Sequence, residues 1–170
     1  VPDDLSEKRT LLRSLMNVRP PVPASDEFLK VQDAYLTERL AERGITRLGD
    51  LKPERPGLYL WKGDTTTLAA DAIVNAANSQ LLGCFVPCHG CIDNAIHTYA
   101  GVQLRLECAE IMRRQGCEED AGHAKITKGY NLPCCYVLHT VGPIIYGAVT
   151  EADRKLLADC YRSCLELAVE

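Results

Sequence analysis

Three cysteines and one histidine lie within a short stretch of the chain, as Cys84, Cys88, His89 and Cys91. Thiolate sulfur and imidazole nitrogen are ligands that Zn²⁺ prefers in proteins. Two thiolates and one neutral imidazole balance the charge of the ion and leave a fourth position open, as catalytic zinc sites do. His89 and Cys91 are too close in sequence to share a helical face, so a loop must hold them. The stretch therefore predicts a zinc-binding loop.

Other chemistries use cysteines at similar spacing. Residues 87–91 fit the Pro-Cys-x-x-Cys half of the nucleobase-deaminase signature, but that enzyme also needs an upstream His-x-Glu or Cys-x-Glu. No His or Cys precedes Cys84, which excludes a deaminase. A thiol-disulfide enzyme could use Cys88 and Cys91, although no thioredoxin-like context surrounds them. Cys88 could also replace Cys84 as a metal ligand, and the structural alternative is a set of reduced cysteines without a metal.

A second group of polar residues follows a short apolar run, Ala72 to Val74, which predicts a strand buried on both faces. The run leads directly into Asn75-Ala76-Ala77-Asn78. In open α/β sheets ligands bind at the carboxyl ends of the strands. Small side chains let a ligand approach the backbone, and the amides of Asn75 and Asn78 can bond sugar hydroxyls. The structural alternative is a turn cap, where Asn is common.

Strands that alternate with helices predict the elements that would carry these groups, in an α/β layered fold. The second helix should begin after Ser25 as N-cap, and Gly44 fits the position that follows its end. The predicted helices cover 4–17, 25–43, 92–115 (with a break at Gly101) and 151–169, and the predicted strands cover 58–61, 72–74, 124–127 and 136–139.

Composition narrows the class of protein. A chain of 170 residues suits one domain, and we expect a helical extension over 1–50 packed on a domain over 51–170. The net charge of −4 argues against nucleic-acid or membrane binding. The acidic N-terminus resembles no signal peptide, and we expect a cytoplasmic protein. Among the nine cysteines, scattered ones in apolar company, such as Cys160 and Cys164 in a helical stretch, are expected to be buried as small apolar groups.

Five motifs in order give the sequence a close resemblance to the macrodomain family. They are KGDTT at 62–66, DAIVNAAN at 71–78, IDNAIH at 92–97, GHAKITKGYNLP at 122–133 and VLHTVGP at 137–143. The resemblance implies a three-layer α/β fold, with a mixed sheet between helices and ADP-ribose in a cleft at the strand ends.

The segment between Asn78 and Asp93 departs from the common family pattern. Hydrolytic macrodomains usually have a shorter Gly-rich run there, whereas this chain carries the Cys and His cluster in that place. This resembles the zinc-containing branch of the family, whose loop has the pattern Cys-x4-His-x-Cys. The resemblance implies Zn²⁺ bound by Cys84, His89 and Cys91. Such an ion could polarise a ribose hydroxyl or lower the pKa of a water molecule.

The resemblance also implies roles for individual residues. Asn78 and Asp93 would be catalytic at the distal ribose, where Asp93 could also cap the following helix. ADP-ribose would contact four further positions, with the helix N-terminus facing the diphosphate. These positions are Asp64 (at the adenine), Asn75, Ile92 and Asn94. The structural alternative for Asp64 is a turn residue after Gly63.

The implied activity is hydrolysis of ADP-ribose from modified proteins, linked through Asp or Glu. The implied partner is a lipoyl carrier of the glycine-cleavage H type, with a sirtuin-like transferase as antagonist. The alternative from another class is a non-enzymatic ADP-ribose binder. Family members also have a second Gly-rich phosphate loop that does not follow Gly142-Pro143 here. The sequence therefore resembles a macrodomain shortened at its C-terminus, expected to bind ADP-ribose weakly and to be inactive alone.

Overall fold

The computed structural model describes residues 1–170, which form five α-helices, seven short β-strands and two 3-10 turns. In chain order the helices and strands are α1 (Leu5–Val18), α2 (Asp26–Arg43), β1 (Thr46–Arg47), β2 (Pro53–Arg55), β3 (Leu58–Tyr59), β4 (Leu68–Ala69), β5 (Ala72–Ala77), α3 (Ile92–Ala100), α4 (Val102–Gln115), β6 (Ala124–Lys128), β7 (Tyr136–Val141) and α5 (Glu151–Val169).

The central sheet has three strands in the order β5-β7-β6. β5 and β7 run parallel, with Asn75 opposite His139, whereas β6 runs antiparallel to β7. Helices α3 and α4 contact one face of the sheet, and α5 packs against β6 and β7 on the other. The predicted three-layer α/β fold, with a mixed sheet between helices, is confirmed.

Successive side chains of β5 face opposite sides of the sheet, as in any strand. Ile73 and Asn75 are buried on the side of α3, while Val74 is 50% exposed on the side of α5. The prediction that this strand is buried on both faces is therefore wrong, because β5 lies at the edge of the sheet and α5 covers β6 and β7 instead. The strand predicted over 58–61 is also shorter, since only Leu58–Tyr59 pairs with β2.

The helix ends follow the capping residues in the sequence. Asp4 accepts a hydrogen bond from the Glu7 N–H at the start of α1, and Ser25 accepts one from the Phe28 N–H at the start of α2. Gly101, with φ of +95°, separates α3 from α4 at the predicted break. A positive φ is accessible to glycine at little steric cost, which explains why the helix turns there.

The main apolar core lies between the sheet and the pair α3 and α4. Ile96, Leu104 and Val137 are fully buried in it. Cys160 and Cys164 are buried on α5, which confirms that they pack as small apolar groups.

The N-terminal segment joins the rest of the chain through α1, α2 and β1, and on α2 the Gln32 Oε1 accepts from the Val102 N–H at 2.9 Å. Helix α1 contacts α3, and β1 pairs in parallel with β4. A division of the chain at residue 50 stays a prediction. None of the five helices combines the length and the apolar character that crossing a membrane requires.

Candidate active site

The two predicted catalytic side chains lie next to each other where β5 ends and α3 begins. Asn78 is the first residue after β5, and Asp93 lies in the first turn of α3. The Asn78 Nδ2 donates to the Gly83 carbonyl at 3.2 Å and lies 3.5 Å from Asp93 Oδ2. Asn78 is exposed, whereas Asp93 is buried. An exposed amide and a buried carboxylate therefore meet at the carboxyl end of the strand.

The Asp93 carboxylate has a polar and largely dry environment. Its Oδ1 accepts a hydrogen bond from Asn75 Nδ2 at 2.8 Å. Burial raises the pKa of Asp93, while the Asn75 hydrogen bond and the nearby Arg105 charge oppose that rise. His97 Nε2 lies 3.6 Å from Asp93 Oδ1, and burial lowers the pKa of His97 well below its usual value. A neutral imidazole therefore lies beside the carboxylate.

A chain of buried hydrogen bonds fixes the amide of Asn75. The same Asn75 Nδ2 also contacts His139 Nδ1 at 3.1 Å, and His139 Nε2 lies 2.9 Å from Thr127 Oγ1. An amide nitrogen can only donate, so His139 Nδ1 accepts and its Nε2–H donates to Thr127. The sheet thus orients the Asn75 amide so that it donates to both His139 and Asp93.

The predicted metal ligands come together in the loop between β5 and α3. The ligand atoms of Cys84, His89 and Cys91 all lie within 4.8 Å of one another, and Cys84 Sγ is 3.6 Å from His89 Nδ1. Burial raises the pKa of Cys91, and the adjacent Cys84 thiol raises it further. A divalent cation favours thiolates and would reverse that effect. The donor set and the spacing of its atoms therefore fit Zn²⁺.

Cys88 is turned away from this group. Its Sγ lies 3.2 Å from Ser14 Oγ and 3.5 Å from the Thr10 carbonyl oxygen, both on α1. Of the two thiols that could complete the cluster, the loop therefore directs Cys84 toward His89 and Cys88 toward α1.

A second group of potential ligands lies in the interior, formed by His97, Cys108 and His139. Both ring nitrogens of His139 already have hydrogen-bond partners. Burial raises the pKa of Cys108 to about 12, which keeps it a thiol. This group is a buried polar part of the core, and its His97 lies beside the Asp93 carboxylate.

The remaining predicted ligand residues lie in different surroundings. Asp64 caps the 3-10 turn Thr65–Thr67, the structural role considered above, and its Oδ2 is 3.1 Å from Arg43 Nη1. Asn75 and Asn94 are fully buried, so their side chains serve interior contacts. Ile92 is the first residue of α3, where helix geometry leaves backbone N–H groups available to an anion.

Two residues near the site were not predicted, namely Arg13 and Asn17 on α1. Arg13 Nη2 donates to the His89 carbonyl at 3.1 Å, and Asn17 Oδ1 accepts from the Cys88 N–H at 2.8 Å. The available signal was that Arg13, Met16 and Asn17 share one helical face. Two polar residues on a face that also buries Met16 indicate polar partners, but the sequence does not identify those partners.

Several known proteins are similar in sequence to this chain. The sequence model of the family described as Macro domain matches residues 74–170 of this chain. The chain is 61% identical over 174 residues to a protein-ADP-ribose hydrolase of Treponema medium, covering all of this chain and 67% of that protein. It is 55% identical over 170 residues to a protein-ADP-ribose hydrolase of Staphylococcus aureus (strain MSSA476), covering 99% of this chain and 64% of that protein. The chain thus spans about two thirds of the length of these relatives.

Solved structures support the same relation. The Trypanosoma brucei macrodomain in complex with ADP-ribose superposes with a TM-score of 0.62 at 31% identity. That match covers 99% of this chain and 69% of the trypanosomal chain.

Proposed function

This chain belongs to the Macro domain family, and from that premise we propose that it is a hydrolase that removes ADP-ribose from modified proteins. One observation carries the proposal: Asn78 and Asp93 lie side by side at the end of β5, and the loop that connects them holds Cys84, His89 and Cys91. The names of the bacterial relatives and the ADP-ribose in the trypanosomal structure support the reaction and the ligand.

The reaction is attack of water on the anomeric carbon of the distal ribose. The substrate bond is the ester between that carbon and an Asp or Glu carboxylate of the modified protein. As the water oxygen bonds to the carbon, the bond to the carboxylate breaks and its electron pair leaves with the carboxylate. Asp93 orients the water and accepts its proton. The exposed amide of Asn78 holds a ribose hydroxyl, which fixes the sugar relative to Asp93.

Cys84, His89 and Cys91 are the residues that would hold Zn²⁺. When bound, the ion supplies Lewis acidity toward the oxygens of the ribose. Cys91 is the N-cap of α3, and its Sγ accepts from the Asn94 N–H at 3.4 Å. Asp93 follows two residues later. The carboxylate and the loop over residues 79–91, here called the metal loop, are therefore both fixed at the start of the same helix.

The proposed protein partner is a lipoyl carrier of the glycine-cleavage H type, in keeping with the resemblance of the loop to the zinc-containing branch. The exposed position of Asn78 and His89 supports a large substrate, because a modified protein cannot enter a closed cavity.

Replacement of Asp93 by Asn tests the proposal. Asp93→Asn keeps the size of the side chain and removes the proton acceptor, so release of ADP-ribose should fall by about 10²–10⁴-fold. Affinity for ADP-ribose, measured by calorimetry, should change far less. The matched control is Asp120→Asn, because Asp120 is exposed and lies outside the loop that connects Asn78 to Asp93.

Two outcomes would overturn the assignment. If Asp93→Asn releases ADP-ribose at the rate of the unchanged protein, Asp93 has only a structural role as the hydrogen-bond partner of Asn75, since the N-cap of α3 is Cys91 and not Asp93. If the unchanged protein binds ADP-ribose and releases none from a modified carrier, it is a binding module.

A further inference from the structure

Helix α1 contacts the metal loop at a backbone position that needs support. Cys88 has φ of +53°, a left-handed conformation that costs energy for a residue with a side chain. Its N–H donates to Asn17 Oδ1 at 2.8 Å, and Asn17 Nδ2 donates to Thr98 Oγ1 at 2.9 Å. Asn17 is 1% exposed. A buried amide on α1 thus links the strained residue of the loop to helix α3.

Arg13, one turn earlier on α1, contacts the residue that follows Cys88. Its Nη2 donates to the His89 carbonyl at 3.1 Å and to Asn94 Oδ1 at 2.8 Å. Hydrogen bonds to an arginine are stronger than those between neutral groups, because the donor is charged. Arg13 therefore holds the backbone of one proposed metal ligand and the side chain of Asn94 at the same time.

Asn94 extends this network to the other two proposed ligands. Its Nδ2 donates to the Cys84 carbonyl at 3.3 Å and to the Val86 carbonyl at 3.0 Å, and its N–H donates to Cys91 Sγ at 3.4 Å. Asn94 is fully buried, so these bonds are shielded from water. Arg13 on α1 therefore contacts His89 directly. Through Asn94 it also supports Cys84 and Cys91.

We infer that Arg13 and Asn17 are positioning residues that preset the metal loop, so that α1 is part of the metal site. This rests on the proposed zinc site. A loop that is already ordered loses less conformational entropy when it binds an ion, which raises affinity without any new ligand. Residues that orient metal ligands typically contribute about 10–100-fold to metal affinity.

Zinc affinity of the whole chain tests the inference, measured by competition with a chromophoric chelator. Asn17→Ala and Arg13→Ala should each weaken zinc binding by about 10–100-fold. The matched control is Arg9→Ala, because Arg9 lies on the same helix and pairs with Glu42 at 2.9 Å instead of the loop. Arg9→Ala should bind zinc as the unchanged protein does. A role in stability alone would lower the melting temperature of the variants and leave their zinc affinity unchanged.

The outcomes separate the inference from the proposed zinc site. If the unchanged protein and Arg9→Ala bind zinc and both test variants bind it equally well, the positioning role is wrong and the zinc site stands. If the unchanged protein binds no zinc, the zinc site and the positioning role are both wrong. Should Asn17→Ala fail to fold because a buried N–H loses its acceptor, Arg13→Ala decides, since Arg13 is only partly buried.

Discussion

At the scale of single residues, Gly83 shows how tightly the site is built. Its φ is +82°, and a Cβ atom at this position would lie 2.6 Å from His97 Cγ. The Gly83 carbonyl also accepts from Asn78 Nδ2. A glycine therefore lets the loop pass over His97 while it fixes the amide beside Asp93.

The direction of each thiol leads to a prediction about the metal. Cys84→Ser should reduce zinc binding to a small fraction of one ion per chain, because a hydroxyl replaces a thiolate ligand. Cys88→Ser should keep one zinc per chain, since the Cys88 thiol faces Ser14. Elemental analysis of both variants, purified without chelator, measures this. Loss of zinc from Cys88→Ser with retention in Cys84→Ser would reverse the assignment of the two thiols.

At the scale of elements, β7 and β5 carry a polar layer beneath α3. His139 on β7 and Asn75 on β5 are fully buried and lie opposite each other in the sheet. The layer includes His97 on α3 and Thr127 on β6. Burial lowers the pKa of His139 to about 4, so the ring is neutral in the folded protein near pH 7.

This layer predicts how stability depends on pH. The unfolded chain protonates His139 near pH 6.5, but the folded protein does so only near pH 4, so stability is lost as pH falls through that window. Between pH 7 and 5 the loss from His139 should be about 2 kcal/mol. The lowered pKa of His97 also decreases the stability of the folded protein as the pH falls. The raised pKa of Asp93 has the opposite effect on stability at lower pH. Urea unfolding with a chelator present, at both pH values, measures the loss.

A variant pair isolates the contribution of His139. His139→Gln cannot be protonated, so its stability should fall less between pH 7 and 5. His123→Gln is the control, because His123 has a side chain that is 65% exposed. Equal losses in His139→Gln and in the unchanged protein would contradict the assignment.

Most elements could be predicted from the sequence because their signals are local. Ser25 and Gly44 mark the ends of α2, and Gly101 marks the break between α3 and α4. The exposure of Val74 was not predictable, since it depends on which strands α5 covers. The crowding of Cys84, His89 and Cys91 was visible because they are close in sequence. The contact between Asn17 and Cys88 was not, because it joins residues that are 71 positions apart.

At the scale of the whole molecule, the N-terminal helix and the sheet act on the same site from two sides. The sheet orients Asp93 through Asn75, and α1 orients the metal loop through Asn17 and Arg13. The two supports meet at the start of α3, where Cys91 and Asp93 are two residues apart. The proposed hydrolysis therefore depends on contacts that reach from α1 to β7.

Hydrolysis in water enriched with ¹⁸O tests the central claim most directly. The substrate is a carrier protein with ADP-ribose on an Asp or Glu carboxylate, and mass spectrometry of the carrier after the reaction gives the result. Attack at the anomeric carbon predicts that ADP-ribose is released and that the freed carboxylate keeps its natural oxygen mass. Absence of release, or ¹⁸O in the carboxylate of the carrier, would contradict the proposed reaction.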